Sequence, residues 1–385
     1  MTCSTQRPAS PPLQRTPLHP LHLQHGARMV AFAGHRMPLN YSGGIIEEHL
    51  HTRRCAGLFD VSHMGQIVVR GDPAATASAL EGLMPSDLLS LAAGRQKYAL
   101  LTNPQGGIID DLMVQNLGDR FLLVVNAAGR RRDLEHLSRH LSSQPAACQA
   151  ECLQDRALLA LQGPDAAAVL AGLGDHSGAF GDFQFMQVRE LTIAGTDCIV
   201  SRSGYTGEDG FELSMPGADA PRLAGQLLAD SRVQLIGLGA RDSLRLEAGL
   251  CLYGHDLTDA TTPVEAGLGW AVSKARRTAG RRPGGFPGDS IILTQMPDRT
   301  ARVRVGLLPA GPAPVRAEAP LLCGQSTVGE VTSGVFSPTL RRPIAMGYVA
   351  REHAGAGTEL HALVRNKRLP VAVTQPPFVA HCFYR

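Results

Sequence analysis

The chain is 385 residues long, 44% hydrophobic, 18% charged and 5% aromatic, with a net charge of +3. That length is too great for one ordinary core and predicts two or three domains. The near-neutral charge and sparse aromatics argue against a dedicated nucleic-acid or membrane-surface binder, and no apolar run reaches the roughly 20 residues of a bilayer span.

No acidic residue precedes Glu47, and the first 16 residues are rich in Ser, Pro and Arg. Organellar transit segments share that bias. Prolines at 8, 11, 12 and 17 spoil the amphipathic helix such a segment needs, so a short disordered tail is expected. Gly43 to Leu58 reads as a helix, with Ile46, Leu50 and Ala56 apolar and charges between them. Gln66–Arg70 reads as a strand. Asp72 then caps a helix whose first residue is Pro73. Lys97–Thr102 and Ile108–Gln115 flank Asn103-Pro104-Gln105-Gly106-Gly107 and predict a hairpin. Phe121–Ala127 is a further strand, and Arg130–Ser142 a helix with a basic outer face.

A second block continues in the same style. Leu158–Leu161, Gln187–Ile193 and Cys198–Ser201 read as strands, and Pro164–Leu170, Ala220–Ala229 and Ala240–Leu250 as helices. Two successive α+β blocks suggest two similar modules. Lys274–Gly288, rich in Arg, Gly and Pro, reads as a linker. Beyond it, short strands at Val303–Leu308, Thr327–Val331, Ile344–Val349, Leu360–Val364 and Val371–Thr374 suggest a small β-barrel or sandwich.

Several chemistries are missing from the sequence. There is no phosphate loop, no strand–GxGxxG–helix fingerprint, no H-E-x-x-H and no G-x-S-x-G elbow. Asp60, Ser62 and His63 are triad residue types, but a triad is assembled by the fold and adjacency in sequence is no sign of one; a polar turn is expected there. The eight cysteines are scattered without zinc spacing, which predicts reduced thiols and no metal.

Three stretches carry potential chemistry. Ser203-Gly-Tyr-Thr-Gly-Glu-Asp-Gly-Phe-Glu212 reads as strand, tight loop, strand. Its three glycines allow positive φ and close approach to a ligand, and it groups Tyr205 with the acids Glu208, Asp209 and Glu212. Glu208 and Asp209 are expected to form the turn and to be solvated. Gly106-Gly-Ile-Ile-Asp-Asp-Leu112 sets two poor strand formers inside a strand. Alternation sends Asp110 and Asp111 to opposite faces, so at least one points at a covered face or cleft, either tied by donors or kept for proton chemistry. Gly237 to Leu250 is a helix opened by a glycine-rich turn. Arg241 lies in its first turn, where a cation opposes the helix dipole. That placement suggests either recognition of a carboxylate by its planar fork or an ion pair from Arg241 or Arg245 to Asp242 or Glu247.

Together with other stretches, these residues resemble the aminomethyltransferases, the T-proteins of the glycine cleavage system. The further matching stretches are Thr16-Pro17-Leu18, His25 to Val30, Leu58-Phe-Asp-Val-Ser-His-Met64, Ala160-Leu-Gln-Gly-Pro164, Leu252-Tyr-Gly254 and Thr262-Pro-Val-Glu265. Thr332-Ser-Gly334, Ser337-Pro-Thr-Leu340 and Ala345-Met-Gly-Tyr-Val349 continue the match, which runs in order from Thr16 to Val379. The resemblance implies an α+β fold: two ferredoxin-like or Greek-key modules (16–275), a linker (276–300) and a C-terminal β-barrel (301–380) around a central folate pocket. It implies transfer of the methylene carbon from the aminomethyl-lipoyl arm of the H-protein to tetrahydrofolate, giving 5,10-methylenetetrahydrofolate and ammonia. No metal, flavin or nicotinamide is implied. Asp111 falls on the catalytic aspartate, Glu212 and Arg241 on folate-site residues, and Tyr98, Asn126, Tyr205 and Met64 on positions around them.

Two departures stand out. His35 replaces a tryptophan frequent in relatives. Phe383 replaces a tyrosine tied to the folate site, with Tyr384 beside it, so one hydrogen bond worth about 1 kcal/mol is either lost or supplied by Tyr384. A related folate-binding protein of iron–sulfur maintenance carries a cysteine motif in place of the Gly-Tyr-Thr-Gly-Glu run, which this chain lacks. Folate-linked oxidases add a flavin domain for which there is no spare length. A cytoplasmic, bacterial-type enzyme is expected, or a mitochondrial-matrix one if the N-terminal tail is a transit segment.

Overall fold

The computed structural model describes residues 12–144, 148–173, 180–296 and 300–384. The expected N-terminal tail falls, up to residue 11, outside the described residues. Two sheets and a barrel make up most of the molecule. The first sheet has five strands in the order Arg95–Thr102, Ile108–Asn116, Arg120–Val125, Gly65–Arg70 and Gln149–Cys152, all antiparallel. Its hairpin and the helix Arg130–Ser142 lie where the sequence puts them. The side chain of Asp72 accepts from Ala75 N at 2.9 Å and starts the helix Pro73–Glu81. Ile67, Val69, Leu101, Leu123 and Leu137 fill the space between sheet and helices.

The second sheet has six strands in the order Val188–Ile193, Thr196–Arg202, Gly210–Pro216, Arg156–Gln162, Ala56–Asp60 and Val233–Ile236. It corrects one expectation. The helix expected over Gly43–Leu58 is Gly44–Arg54, and Cys55 breaks it with φ −134° and ψ −119°. The next five residues are a fully buried strand, antiparallel to Arg156–Gln162 and parallel to Val233–Ile236. A strand buried on both faces is continuously apolar, so its period cannot be told from that of the helix before it. The modules are therefore not simply successive. The chain lays down one central strand of the second sheet, builds the whole first sheet, and then returns.

The two sheets touch where Gln96 N donates to Met186 O at 3.0 Å and Val188 N to Gly94 O at 2.8 Å. A short ribbon, Arg28–Phe32 with His35–Asn40, was not legible in the sequence. The connection after Lys274 is packed: Arg276 pairs with Glu81, Arg276 Nη2 donates to Gly284 O at 2.6 Å, and Arg282 binds Glu81 and Asp87 at 3.0 and 2.6 Å. The barrel closes in the order Arg302–Pro309, Arg342–Ala350, Ser326–Ser337, Pro320–Cys323, Glu359–Val364 and Lys367–Thr374. Closure leaves no open sheet edge.

The barrel is bolted to the helix Leu238–Glu247. Arg245 reaches Ser333 Oγ at 2.9 Å and Asp256 at 2.6 Å, and Glu247 accepts from Ser337 Oγ at 2.5 Å and Thr339 Oγ1 at 2.8 Å. These bonds explain the Thr332–Gly334 and Ser337–Leu340 motifs as docking residues.

Candidate active site

Asp111 points out of the first sheet toward the second. Tyr98, across the hairpin, donates its hydroxyl to Asp111 Oδ2 at 3.0 Å. Asn126, just past the strand Arg120–Val125, donates Nδ2 to Asp111 Oδ1 at 2.9 Å and to Asp110 Oδ1 at 2.8 Å. Its backbone N–H also reaches Asp110 Oδ2 at 3.0 Å. One amide thus spans both aspartates. Burial pushes the Asp111 carboxyl up to about 7; the charge of Asp110 adds to this, and the Tyr98 and Asn126 donors oppose it. Burial, then the Asp111 charge, holds the Tyr98 phenol well above its ordinary value, so it remains a donor. Trp270, the only tryptophan, stacks on Tyr98 at 5.4 Å while 64% exposed. Its position at the rim was not read from the sequence, where its rarity was the only signal.

The second sheet supplies the facing side. Thr196–Arg202 and Gly210–Pro216 carry the loop between them, as expected. Gly204 lies against Gln162, where a Cβ would come within 1.7 Å of Oε1, and Gly207 has φ +82°. The Arg241 guanidinium lies over the Tyr205 ring at 4.6 Å, and the Tyr205 hydroxyl donates to Cys251 O. Glu212 receives a long bond of 3.4 Å from Ser203 Oγ. Burial raises its carboxyl above the ordinary range, while Arg241 pulls it down. The two alternatives for this helix divide between its arginines. Arg245 takes the ion pairs, to Asp242 and Asp256, whereas Arg241 has no ion pair among the described residues and keeps its fork open.

Met64 packs with Phe59, Val124, Ala240 and Leu244 beneath the helix Leu238–Glu247. Asp60 binds His22 Nε2 at 2.8 Å and Ser62 N at 2.9 Å, while the His63 ring sits edge-on to Phe32 and His35. These three residues form no triad.

Two expectations change. Glu208 and Asp209 are not solvated turn residues: Glu208 pairs with Arg53 at 2.8 Å and Asp209 with Arg202 at 2.5 Å. Arg53 comes from a helix far back in the chain and Arg202 from the buried end of the preceding strand, so the loop sequence alone had no sign of them. Phe383 and Tyr384 are not brought up to Asp111 or Arg241. Phe383 stacks on Phe185 at 4.4 Å, and Tyr384 covers Arg202 at 3.9 Å. Cys382 N donates to Gly207 O at 2.8 Å, so the C-terminus braces the loop from outside.

The aspartate centre of the first sheet and the Tyr205–Arg241–Glu212 group of the second are near enough to perturb one another: Tyr205 raises Tyr98, and Asp111 raises Tyr205. Two surface clefts, one lined by residues including Arg15 and Arg36 and the other by residues including Glu265 and Tyr348, contain none of these side chains.

Two interleaved sheets and a docked barrel bring the aspartate centre to their junction. The families described as "GCVT N-terminal domain" and "Glycine cleavage T-protein C-terminal barrel domain" match residues 18–276 and 302–380. The chain is 43% identical to the mitochondrial aminomethyltransferase of Dictyostelium discoideum, covering 95% of this chain and 93% of that one. It is 45% identical to the mitochondrial aminomethyltransferase of Homo sapiens, covering 97% and 91%. A crystal structure of glycine cleavage system aminomethyltransferase T from Bartonella henselae matches with a TM-score of 0.89 at 44% identity, over 97% of this chain and all of that one. The chain belongs to the glycine cleavage T-protein family, the aminomethyltransferases. No helix among the described residues is long and apolar enough to cross a membrane.

Proposed function

We propose that the protein transfers the methylene carbon of an aminomethyl group, carried on the lipoyl arm of an H-protein, to tetrahydrofolate, the C–N bond breaking to release ammonia and the C–S bond breaking to leave the dihydrolipoyl H-protein. The observation that carries this assignment is the junction itself. An aspartate held by Tyr98 and Asn126 lies where the two sheets meet, near Tyr205, a half-buried glutamate and an arginine with no ion pair among the described residues. Glu212 suits the N–H edge of a pterin. Arg241 suits the carboxylates of a glutamate tail. Tyr98 and Tyr205 supply ring walls, and Met64 backs the helix that carries Arg241. A nitrogen attacking the methylene carbon beside Asp111 loses its proton, and a carboxyl near 7 accepts it at neutral pH. The ionised form also stabilises positive charge on the reacting carbon.

Residues 16–275 form the catalytic region on this proposal, joined through 276–300 to the barrel of 301–380. A cytoplasmic, bacterial-type setting is one assignment. The mitochondrial matrix is the alternative, and the mitochondrial names of the two eukaryotic relatives favour it. The test is to supply aminomethylated lipoyl-H-protein and tetrahydrofolate and follow methylenetetrahydrofolate. Formation that depends on both substrates is expected; folate binding without turnover refutes the assignment.

A further inference from the structure

Asp110 is the aspartate the catalytic assignment leaves idle, and its surroundings are unusual. It points away from Asp111 to the covered face of the first sheet and is completely buried. There it meets Asp133, in the first turn of the helix Arg130–Ser142, which is also completely buried. The point where a Cβ of Gly129 would stand is 2.7 Å from Asp133 Oδ2 and 3.3 Å from Asp110 Oδ2. An acid in the first turn of a helix ordinarily faces water or caps a free N–H. Asp133 does neither: both oxygens lack a hydrogen-bond partner among the described residues. The nearest cation, Arg132, holds its Nε at 3.7 Å from Oδ1 and commits its guanidinium to Ile109 O and the Tyr253 hydroxyl.

Two buried carboxylates side by side without donors between them repel each other, and one is left protonated. A single proton satisfies both. We propose that Asp110 and Asp133 share one proton as a carboxyl–carboxylate pair, and that this pair is the positioning element that fixes Asn126 against Asp111. It deepens the catalytic assignment of Asp111 and rests on it only for its consequence in turnover. The logic follows the donors. Asp110 accepts from Asn126 N and from Nδ2, and the same Nδ2 reaches Asp111. If Asp110 carried its own proton outward, it would confront those two donors with a third. If both acids were ionised, three negative charges would crowd one amide. With the proton held between Asp110 and Asp133, Asp110 presents only lone pairs to Asn126.

The other titratable groups facing the pair are Arg132, Tyr253 and Asp111, and behind Asp111 lie Tyr98, Tyr205 and Cys251. Burial raises both acids of the pair; the Asp133 charge adds to this at Asp110, and the charge of Arg132 opposes it at Asp133. As coupled groups they titrate as one unit with two apparent steps.

The test uses the full chain with aspartate labelled at Cγ with carbon-13, so that infrared carboxyl bands from aspartate separate from those of glutamate. Asp111→Asn removes the active-site acid and leaves the pair. A protonated aspartate band is expected to persist in it at neutral pH and to vanish in Asp111→Asn/Asp133→Asn, where the introduced amide donates in place of the proton. Absence of the band in Asp111→Asn, or its survival in the double variant, overturns the proposal. Neither result depends on turnover, so failure of the transferase assignment is a separate outcome. In the otherwise unaltered enzyme, Asp133→Asn is expected to abolish the alkaline limb of the pH–kcat profile, because Asp110 then has no shared proton to lose. An unchanged limb counts against the positioning role, and the infrared reading on Asp111→Asn stands even if the Asp133 variants fail to fold.

Discussion

Replacing Asp111 by Asn separates catalysis from stability, because the two are expected to move in opposite directions. The substitution keeps the shape. The new amide oxygen accepts from Asn126 Nδ2 as Asp111 Oδ1 does at 2.9 Å, and the new amide nitrogen donates to the Tyr98 oxygen, which a hydroxyl accepts as readily as it donates. What disappears is a charge and a titration. The Asp111 carboxyl lies at about 7 in the folded protein against an ordinary 3.8, chiefly through burial. A carboxyl raised on folding favours the folded state least when ionised. Its contribution is fully present below the unfolded value and is lost as pH rises through the folded one. A rise of that size corresponds to about 4 kcal/mol at most, and weakened hydrogen bonds in the variant offset on the order of 1–2 kcal/mol of it. Urea unfolding should therefore show the variant starting on the order of 1–2 kcal/mol below the wild type at acid pH and gaining up to about 4 kcal/mol on it as pH rises from the ordinary carboxylate value of 3.8 through about 7. Methylenetetrahydrofolate formation from aminomethylated H-protein should fall by about 10²-fold or more, the usual yield of a positioned proton acceptor. Full turnover, or a variant that loses stability against wild type as pH rises, refutes the assignment of Asp111.

Four further outcomes follow from the geometry. Tyr98→Phe removes a donor that holds the Asp111 carboxyl down, so the acidic limb of the pH–rate profile should move to higher pH; a downward shift contradicts the bond. Arg241→Met should weaken tetrahydrofolate binding about 10- to 100-fold by removing one charged contact of roughly 1.5–3 kcal/mol, and an unchanged Kd by titration calorimetry would displace Arg241 from the site. Arg53 binds Glu208, Glu247 and Thr206 O, each at 2.8 Å. Arg53→Ala takes the ion-pair partner from buried Glu208, while Glu247 keeps His49, Ser337 and Thr339, and should cost about 3 kcal/mol in urea melts, a loss under about 0.5 kcal/mol meaning that the pairs are ornamental. Phe211→Ala empties a completely buried position against Phe180 and Phe183 and should cost about 3–5 kcal/mol, with intact stability ruling out that aromatic cluster as core.

Much of this was legible because the signals are local. The hairpin around Asn103–Gly107, the capped helix at Asp72 and five of the six barrel strands, all but Pro320–Cys323, declare themselves through turn residues and alternation within about ten positions. The residues expected around Asp111 came through resemblance, and the structure sets Tyr98 and Asn126 in hydrogen bonds to it. What failed was everything that depends on a partner far along the chain. Glu208 looks solvated until Arg53 arrives from the helix Gly44–Arg54. Asp133 looks like an ordinary acid favouring a helix N-terminus until Asp110 is found behind it. Phe383 looks like a pocket ring until Phe185 offers it a closer stack.

The least legible element, the strand Ala56–Asp60, is also the one that makes the site possible. Had the chain built two separate blocks, the aspartate centre and the Tyr205–Arg241 group would belong to domains free to drift apart, joined by one connection. Instead, a strand preceding the first sheet is hydrogen-bonded between Arg156–Gln162 and Val233–Ile236 in the second. The chain enters the first sheet from the second and must return to it, so Asp111 is anchored from both ends. The helix Leu238–Glu247 follows directly from Val233–Ile236, which places Arg241 one turn beyond the strand that pairs with Ala56–Asp60. The barrel then holds that helix through Arg245 and Glu247, leaving Arg241 as the arginine of the pair with no structural ion pair among the described residues. Interleaving therefore positions the two sides of the junction, and the docked barrel helps hold Arg245 while Arg241 keeps no ion pair among the described residues.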